Sequence, residues 1–459
     1  MYSAGLLKED FLRLKRSVQQ TIMAELEEKN RGKQLEGQLT LEITDVVKIE
    51  EQKKIPRRNK GSSILVRQGY GEKISQRLEK CNKELLLLKR ENDEFAVVSG
   101  IDGFVNALLR LYSTLSDYLE EQEIPGVAVR EEILDFYFDV SHFLDIYERL
   151  DKHYVKYTQL QDDGDFLLKL FCVNPRENLK ECMGRGRSSI LFSATFLPIQ
   201  YYKELLGGDE GDYEVYAKSI FDQEKRALFI ASDVTSKYTR RSDEEFYRIA
   251  EYIKEIVKNR HGNYMVFFPS YSFMQRIYDL YTEQFAGEDQ ECIMQQEYMS
   301  ETDREDFLNR FRGNEDLDLE QLICMDIEEE DHTLVGFCVL GGIFGEGIDL
   351  KNDSLIGAII VGTGLPLVCR ERELLKNHFD ELDESGFDYA YRYPGLNKVL
   401  QAAGRVIRTV EDVGIIALLD ERFLQLSYRK LFPREWSDFE VVSVDTVAKR
   451  VERFWDSWL

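Results

Sequence analysis

The 459-residue sequence predicts an α/β protein in which a parallel sheet with helices on both faces follows a mainly helical region. Two observations lead to this fold class. From about residue 213, short apolar runs alternate with helical patterns, which is typical of parallel βαβ units. Residues 1–150 instead place apolar side chains at helical spacing, as in Leu78, Cys81 and Leu85. The chain is too long for one compact core, so we expect two or three structural units.

Within the first region, helices are predicted for residues 1–30, 72–92, 102–121 and 129–150. The aromatic side chains of the last stretch are predicted to lie in the core, with base stacking as the alternative. Between the first two stretches, residues 31–62 are rich in Gly, Lys, Glu and Arg and include the basic cluster Lys53, Lys54, Arg57, Arg58 and Lys60. We expect a solvated loop there, and a contact with a nucleic-acid backbone is the alternative.

The pattern changes near residue 153. Residues 155–160 and 166–173 flank a turn signal at Asp163-Gly164 and predict a β-hairpin. Residues 187–195 then predict a buried strand that ends in Ser193, Ala194 and Thr195. Small hydroxyl residues at the carboxyl edge of a strand lie where open α/β sheets bind ligands.

The α/β region contains a glycine-rich segment directly after a predicted strand. Strands are predicted at 228–232, 264–268, 292–295, 334–340, 354–361 and 414–420, and helices at 244–259, 274–285 and 302–311. Residues 341–350 follow the fourth of these strands. Glycines there let the backbone approach a phosphate, while Asp349 and Glu346 can hold a ribose hydroxyl or an arginine.

A second candidate site lies in residues 401–408. On a helix, Gln401, Arg405 and Arg408 share one face, and the apolar residues between them turn to a core. These core residues are Ala402, Ala403, Val406 and Ile407. Two convergent guanidiniums suit a polyphosphate, because arginine is always charged and binds phosphate oxygens with two hydrogen bonds. The alternative is an ordinary amphipathic helix with a solvated basic face.

Composition limits the remaining functions. Sixty Lys and Arg against 85 Asp and Glu give a net charge of -25. This charge argues against a protein that coats nucleic acid non-specifically, but it permits a local basic groove. Seven cysteines without a Cys-x-x-Cys pair indicate reduced core thiols in a cytoplasmic protein. Five scattered histidines form no zinc-ligand set. Without a bilayer-length apolar run or a secretory signal, we expect a soluble protein with no membrane contact.

The apolar run that ends in Asp420 is similar to a Walker B strand, whose acidic residue holds magnesium. No Gly-x-x-x-x-Gly-Lys-Ser/Thr loop occurs anywhere in the chain to receive the phosphates. We therefore expect Asp420 to cap its strand or to pair with Arg422.

Four segments, taken in order, resemble motifs III, IV, V and VI of superfamily 2 helicases. Their residues are most similar to those of the DinG/XPD branch. They are residues 193–195, 266–270, 345–349 and 401–408. The resemblance covers about 165–440 and implies a RecA-like parallel sheet. It further implies a mainly helical Arch-like region at 1–150, a remnant of the first motor domain with motif III at 151–204, the second RecA-like domain at 205–440, and a C-terminal helix at 441–459.

The resemblance also implies roles for individual residues. Arg405 and Arg408 would reach the γ-phosphate of ATP, with assistance from Gln401. The residues expected to face the nucleotide are Asp349, Glu346, Gly347 and Gly404. Those expected to couple hydrolysis to movement are Ser193, Ala194 and Thr195, and those expected to contact DNA are Ser270 and Gly345. No metal ligand is implied.

The sequence departs from this family in its first half. The Walker A lysine, the DEAH box and four iron-sulfur cysteines are all absent, as though the chain began just beyond the DEAH box. We therefore expect the C-terminal part of an ATP-dependent DNA helicase that acts on single-stranded DNA. The main elements for ATP and Mg²⁺ are missing and no iron-sulfur cluster is expected, so this part should not hydrolyse ATP alone. A separate N-terminal helicase half is a candidate partner. Two alternatives are a non-enzymatic single-strand-binding or regulatory module and an unrelated α/β nucleotide-binding protein.

Overall fold

The computed structural model describes residues 2–44, 69–91, 94–121, 128–312, 332–344 and 354–458. The chain divides into two compact units, Met1–Asn178 and Leu179–Leu459. The predicted boundary at residue 150 lies before the β-hairpin, whereas the structure places this hairpin in the first unit. The hairpin therefore belongs with the helical region and not with the parallel sheet.

In its described residues, the first unit combines four long helices with a four-stranded antiparallel sheet in the order β1-β4-β3-β2. The predicted hairpin is present, with Leu160 opposite Phe166 and Gly164 in the left-handed region at φ +90°. The elements, in chain order, are β1 (Ala4–Leu7), α1 (Lys8–Thr44), α2 (Tyr70–Glu91), β2 (Phe95–Val97), α3 (Asp102–Glu120), α4 (Ala128–Glu148), β3 (Tyr154–Leu160) and β4 (Phe166–Cys172). Helix α5 (Arg176–Gly184) includes the boundary between the units.

The beginning of the chain differs from its prediction. Residues 4–7 form a strand and not the start of a helix, because Ala4 and Leu6 are buried where β1 pairs with β4. Helix α1 then continues to Thr44, so the loop predicted for 31–62 is wrong for its first part. Lys, Glu and Gln in this stretch are good helix formers. The basic cluster from Lys53 onward lies outside the described residues.

Aromatic rings fill the core of the first unit. Phe11 of α1 meets the edge of Phe104 at a centroid distance of 5.9 Å and that of Phe136 at 5.0 Å. Phe136 and Phe143 of α4 are both buried. The prediction that the aromatic residues of this helix belong to the core is therefore confirmed for these two side chains.

The second unit is built on a seven-stranded sheet in the order β11-β5-β10-β9-β6-β8-β7, and every strand pair in it is parallel. Its strands are β5 (Arg226–Ala231), β6 (Gly262–Phe268), β7 (Gln290–Met294), β8 (Thr333–Val339), β9 (Gly357–Val361), β10 (Gly414–Leu419) and β11 (Glu440–Val442). All predicted strands from 228 onward are present, and β11 was not predicted.

Helices cover both faces of this sheet. They are α6 (Ile199–Leu205), α7 (Asp243–Val257), α8 (Tyr271–Gln284), α9 (Glu301–Arg312), α10 (Arg370–Glu381), α11 (Tyr393–Ala403), α12 (Leu426–Arg429) and α13 (Val444–Asp456), with a π-helix at Asp388–Arg392. Along β6, Met265 and Phe267 enter one core, while Tyr264, Val266 and Phe268 enter the other. Burial on both faces explains the continuous apolar runs of these strands. The predicted parallel α/β sheet with helices on both faces is confirmed.

Helix α11 lies directly against the loop that follows β9. Gly364 has φ +68°, and a Cβ built on it would stand 2.3 Å from the carbonyl oxygen of Gly395. A Cβ on Gly395 would in turn lie 2.9 Å from the carbonyl oxygen of Thr363. Two glycines therefore allow the helix backbone to touch the carboxyl end of the sheet.

Asp420 forms the centre of a buried polar cluster at the end of β10. Its carboxylate accepts 2.8 Å hydrogen bonds from Arg422 Nε, Arg422 Nη2 and the backbone N–H of Ser236. Burial alone would raise the pKa of this carboxyl group, but the bonds and charge of Arg422, with the Ser236 bond, lower it below its usual value. The predicted cap and pairing with Arg422 are confirmed.

The cysteines fit their prediction only in part. Cys81 and Cys338 are buried, but Cys182 and Cys369 are exposed, and Cys324 lies outside the described residues. The six cysteines that the structure describes are thiols and not disulfides. In the described part of the chain, no helix has the length and apolar character needed to cross a membrane.

The contact between Gly364 and Gly395 predicts a large cost for Gly364→Ala. The added methyl group collides with backbone and also occupies a left-handed φ, so we expect a loss of about 2 to 4 kcal/mol in the free energy of unfolding. Gly69→Ala is the matched control, because Gly69 has the same φ of +68° with nothing within 4 Å. Urea unfolding measures both. Equal losses in the two variants would contradict the steric argument.

The buried position of Asp420 predicts that Asp420→Asn costs about 3 kcal/mol or more at neutral pH, because Arg422 then lacks its counter-charge. Asp243→Asn breaks a 2.8 Å pair with Arg276 that is exposed, and should cost under about 1 kcal/mol. The lowered pKa of Asp420 means that its contribution is complete above its ordinary pKa of 3.8 and is lost as the pH falls through the lower folded value. Urea titrations at pH 7 and below pH 3 test this. An equally large loss in the free energy of unfolding of Asp420→Asn below pH 3 would contradict the prediction.

Candidate functional site

The first predicted contact residue, Ser270, lies at the carboxyl end of β6 and caps the helix that follows. Its hydroxyl accepts from the backbone N–H of Phe273 at 3.4 Å, and lies 3.3 Å from the hydroxyl of Ser272. Ligands of open parallel sheets bind beyond the carboxyl ends of strands, and the contact of Ser270 with DNA stays a prediction.

A groove of about 660 Å³ opens beside Ser270. The residues that line it include Ser270, Tyr271, Ser272, Gln275, Gln295 and Glu297. The hydroxyl and amide groups of this set lie beside the apolar side chains of Met274 and Met294, so the groove offers hydrogen-bond partners next to apolar surface.

Gln295 fixes the direction of the Tyr271 hydroxyl in this groove. Gln295 is 1% exposed, and its Oε1 accepts from the backbone N–H of Val339 at 2.9 Å. Its Nε2 therefore faces Tyr271 and donates to the hydroxyl oxygen at 2.6 Å. Desolvation raises the pKa of Tyr271, so the hydroxyl keeps its own proton to donate. Sequence reasoning missed both residues, although Tyr271 directly follows Ser270.

The arginine motif does not lie on one helix. Helix α11 ends at Ala403, and Gly404 follows as its C-cap, with its N–H bonded to the carbonyls of Ala402 and Leu400. Arg405 and Arg408 lie in the turn beyond, so the predicted shared helical face is wrong. Glycine after the last helical turn is the signal for this stop. The predicted core residues Ala402, Ala403 and Val406 are buried, and Ile407 is partly buried against the same core.

A buried carboxylate shapes this turn. Asp412 accepts from the backbone N–H groups of Arg408 at 2.6 Å and Thr409 at 2.7 Å, and from the Thr409 hydroxyl at 2.7 Å. Arg405 is only 8% exposed, while Gln401 and Arg408 are partly exposed. The backbone that carries the two arginines is thus held by hydrogen bonds to a residue that the sequence analysis did not select.

The predicted buried strand at 187–195 is absent. Residues 188–193 have no regular structure, and Ile190 is 86% and Phe192 88% exposed. An apolar strand needs neighbouring strands for its hydrogen bonds, and the seven-stranded sheet does not include this segment. Ser193 and Thr195 are joined locally, since the Thr195 N–H donates to Ser193 Oγ at 3.2 Å and the two hydroxyl oxygens lie 3.3 Å apart.

The helix that follows this segment contacts the helical region of the arginine motif. Tyr201 of α6 meets the ring of Tyr389 at a centroid distance of 5.2 Å and that of Tyr393 at 5.1 Å. Burial raises the pKa of Tyr201 to about 12. Residues 193–195 are therefore followed, within one short helix, by an aromatic contact with the start of α11.

The remaining predicted residues, Gly345, Glu346, Gly347 and Asp349, lie outside the described part of the chain. Just before them, Gly341 has φ +73°, as expected for a glycine turn after a buried strand. Within the described ranges, no group of three or more His, Cys, Asp and Glu side chains could hold a metal ion.

Comparison with known proteins finds similarity to helicases. Residues 253–439 match the family described as the helicase C-terminal domain. The ATP-dependent DNA helicase XPD of Sulfolobus acidocaldarius is 28% identical over 60% of this chain and 42% of its own length. A regulator of telomere elongation helicase 1 homolog of Caenorhabditis briggsae is 25% identical over 79% of this chain and 37% of its own. The solved structure named XPD_APO is 20% identical with a TM-score of 0.47, covering 81% of this chain and 69% of its own.

The chain thus spans about two fifths of the length of the curated relatives that it matches. The matched domain contains Ser270, the groove, α11 and the turn with both arginines. The match to the helicase C-terminal domain family covers residues 253–439, and the chain as a whole is similar to helicases of the XPD and telomere-elongation-regulator type.

Proposed function

We propose that this chain is the C-terminal part of an ATP-dependent DNA helicase, which couples ATP hydrolysis to movement on single-stranded DNA. The observation that carries the proposal is the match of residues 253–439 to the helicase C-terminal domain. Relatives that share this region are named ATP-dependent DNA helicases. The position of the arginine turn directly after α11 supports the same function.

Arg405 and Arg408 have the role of stabilising charge on the transferring phosphoryl group, with Gln401 assisting. A guanidinium acts best when it is already oriented, because no reorganisation is then needed as charge develops. The low exposure of Arg405 and the three hydrogen bonds of Asp412 support such an orientation. Gly404, Gly347, Glu346 and Asp349 have the nucleotide-facing role.

The phosphate cradle comes from outside this sequence. The chain has no Walker A loop, and its described residues contain no cluster that fits Mg²⁺. Phosphoryl transfer requires both of these elements as well as arginines. The complete catalytic centre therefore needs a second polypeptide or segment that supplies the first RecA-like domain.

The exposed segment 190–192 supports such a partner. Ile190, Leu191 and Phe192 are apolar and follow one another, yet each is at least half exposed. In a complete first motor domain, this segment would find strands to pair with and a core to enter. Ser193, Ala194 and Thr195 would then lie at the sheet edge, where they couple hydrolysis to movement on DNA.

Single-stranded DNA is the proposed nucleic-acid ligand. Ser270 and the Gly345 backbone contact its phosphates, and the groove beside Ser270 provides further hydrogen-bond donors. A second candidate function is a non-enzymatic single-strand-binding or regulatory module. The absence of a Walker A loop from a chain that keeps this polar groove favours that candidate.

The missing cradle predicts that the isolated chain has no magnesium-dependent ATPase activity, with or without single-stranded DNA. Adding a polypeptide with the Walker A loop and DEAH box of this family should produce turnover. Arg405→Ala should then lower kcat by about a thousandfold, the scale of an arginine finger. A phosphate-release assay measures each step. Robust turnover by the chain alone, sensitive to Arg405→Ala, would contradict the proposal.

The position of Ser270 predicts that Ser270→Ala weakens binding of a fluorescent oligothymidylate about fivefold, the effect of about one lost hydrogen bond. Ser242→Ala is the matched control, since Ser242 caps α7 by accepting from Glu245 N–H at 3.3 Å. Both variants should lose about 1 kcal/mol of stability through the cap. Fluorescence anisotropy at several salt concentrations reads the affinity. Similar affinity in both variants would argue against a DNA contact at Ser270.

A further inference from the structure

Lys398 is a cation that has no counter-ion among the residues that the structure describes. It lies on α11, and its Nζ makes no hydrogen bond or ion pair with any described residue. Burial, and then the positive charge of Arg372, lower the pKa of the Lys398 amine. A partly buried ammonium beside a second cation is unfavourable unless an anion approaches both.

The second cation is also without an acidic partner. Arg372 of α10 donates from Nη1 to the backbone carbonyl of Ala390 at 2.8 Å, and forms no ion pair within the described ranges. A single neutral acceptor leaves most of the five guanidinium donors available. Lys398 of α11 and Arg372 of α10 therefore act on each other as like charges within the same unit.

The ammonium stands over the end of a strand. A Cβ built on Gly341, which follows β8, would lie 2.7 Å from Lys398 Cδ and 3.0 Å from its Nζ. Gly341 leaves the space that the lysine occupies. One helical turn earlier, Gly395 of the same helix touches the loop after β9. Helix α11 thus places Lys398 at the carboxyl edge of the sheet, where ligands of open α/β sheets bind.

The loop after β9, which touches α11 at Gly395, also carries a buried polar group. The hydroxyl of Thr363 belongs to a residue that is 1% exposed, and it has no hydrogen-bond partner among the described residues. Buried hydroxyl groups are normally bonded, and exceptions often mark a missing ligand or water.

From these contacts we infer that Lys398, with Arg372, forms a phosphate-binding site at the carboxyl end of β8. This inference rests on the proposed function, because it names a contact for the phosphate groups of the helicase ligands. The shared chemistry is a phosphate oxyanion, which either the DNA backbone or a nucleotide supplies. The residue lies outside the segment 401–408, three residues before Gln401.

The test uses the full chain with Lys398→Gln and two companions. Lys398→Arg keeps the charge, and Lys376→Gln is the matched control, since Lys376 of α10 pairs with Asp380 at 3.2 Å. One probe is a fluorescent oligothymidylate, and the other is inorganic tripolyphosphate followed by thermal shift. We expect Lys398→Gln to weaken binding of at least one probe five- to tenfold, with Lys398→Arg and Lys376→Gln close to wild type.

The two probes separate the possible ligands. A loss confined to the oligonucleotide, with the salt slope reduced by about 0.7, assigns the site to the DNA backbone. A loss confined to tripolyphosphate assigns it to a nucleotide. Unchanged binding of both probes, equal losses in Lys376→Gln, or no binding by wild type would overturn the inference.

Stability provides an independent readout. Removing an unpaired cation beside Arg372 should leave Tm unchanged or slightly higher without ligand, whereas a purely structural lysine would lower Tm on replacement. A clear fall in Tm for Lys398→Gln would therefore overturn the inference as well. A failure of the proposed function would be seen in the phosphate-release assay, as absent ATP turnover after the polypeptide with the Walker A loop is added. Such a failure would leave phosphate binding by the isolated chain unaffected.

Discussion

The close approach of Gly364 and Gly395 is the constraint on which the candidate site depends. Because neither residue has a side chain, the loop after β9 and the first turn of α11 lie in backbone contact. This contact sets the position of the helix along the sheet edge. It therefore also sets the positions of Lys398, Gln401 and the turn with Arg405, since each lies a fixed number of residues further along the chain. A larger residue at either position would move the whole series together.

Buried polar groups, together with the backbone contact, fix the loops at the carboxyl edge of the sheet. Asp412 holds the arginine turn, Gln295 orients Tyr271, and Asp420 joins the end of β10 to Ser236 and Arg422. Each of them replaces water with hydrogen bonds of fixed direction, and an unsatisfied group in such a place is costly. The loops at the carboxyl edge of the sheet are therefore ordered by charged and amide side chains, whereas the strands themselves are ordered by apolar packing.

The sequence was sufficient to predict the parallel sheet, because its strands are continuous apolar runs that are buried on both faces. The hairpin and the pairing of Asp420 with Arg422 were also predicted, since each depends on residues close in sequence. Three other features depend on distant partners. Strand β1 is defined by β4, more than 150 residues away. The strand predicted at 187–195 found no neighbours, and the helix predicted through Arg408 ended at Gly404. Lys398 was overlooked because a missing counter-ion is visible only in three dimensions.

The exposed run of Ile190, Leu191 and Phe192 has a consequence for the behaviour of the protein in solution. Three consecutive apolar residues with free backbone donors and acceptors can form strand pairs with the same run of another molecule. Self-association should therefore increase with protein concentration and begin at this segment. The exposed apolar segment that would pair with strands of a complete motor domain would cause the protein to precipitate when no partner covers it.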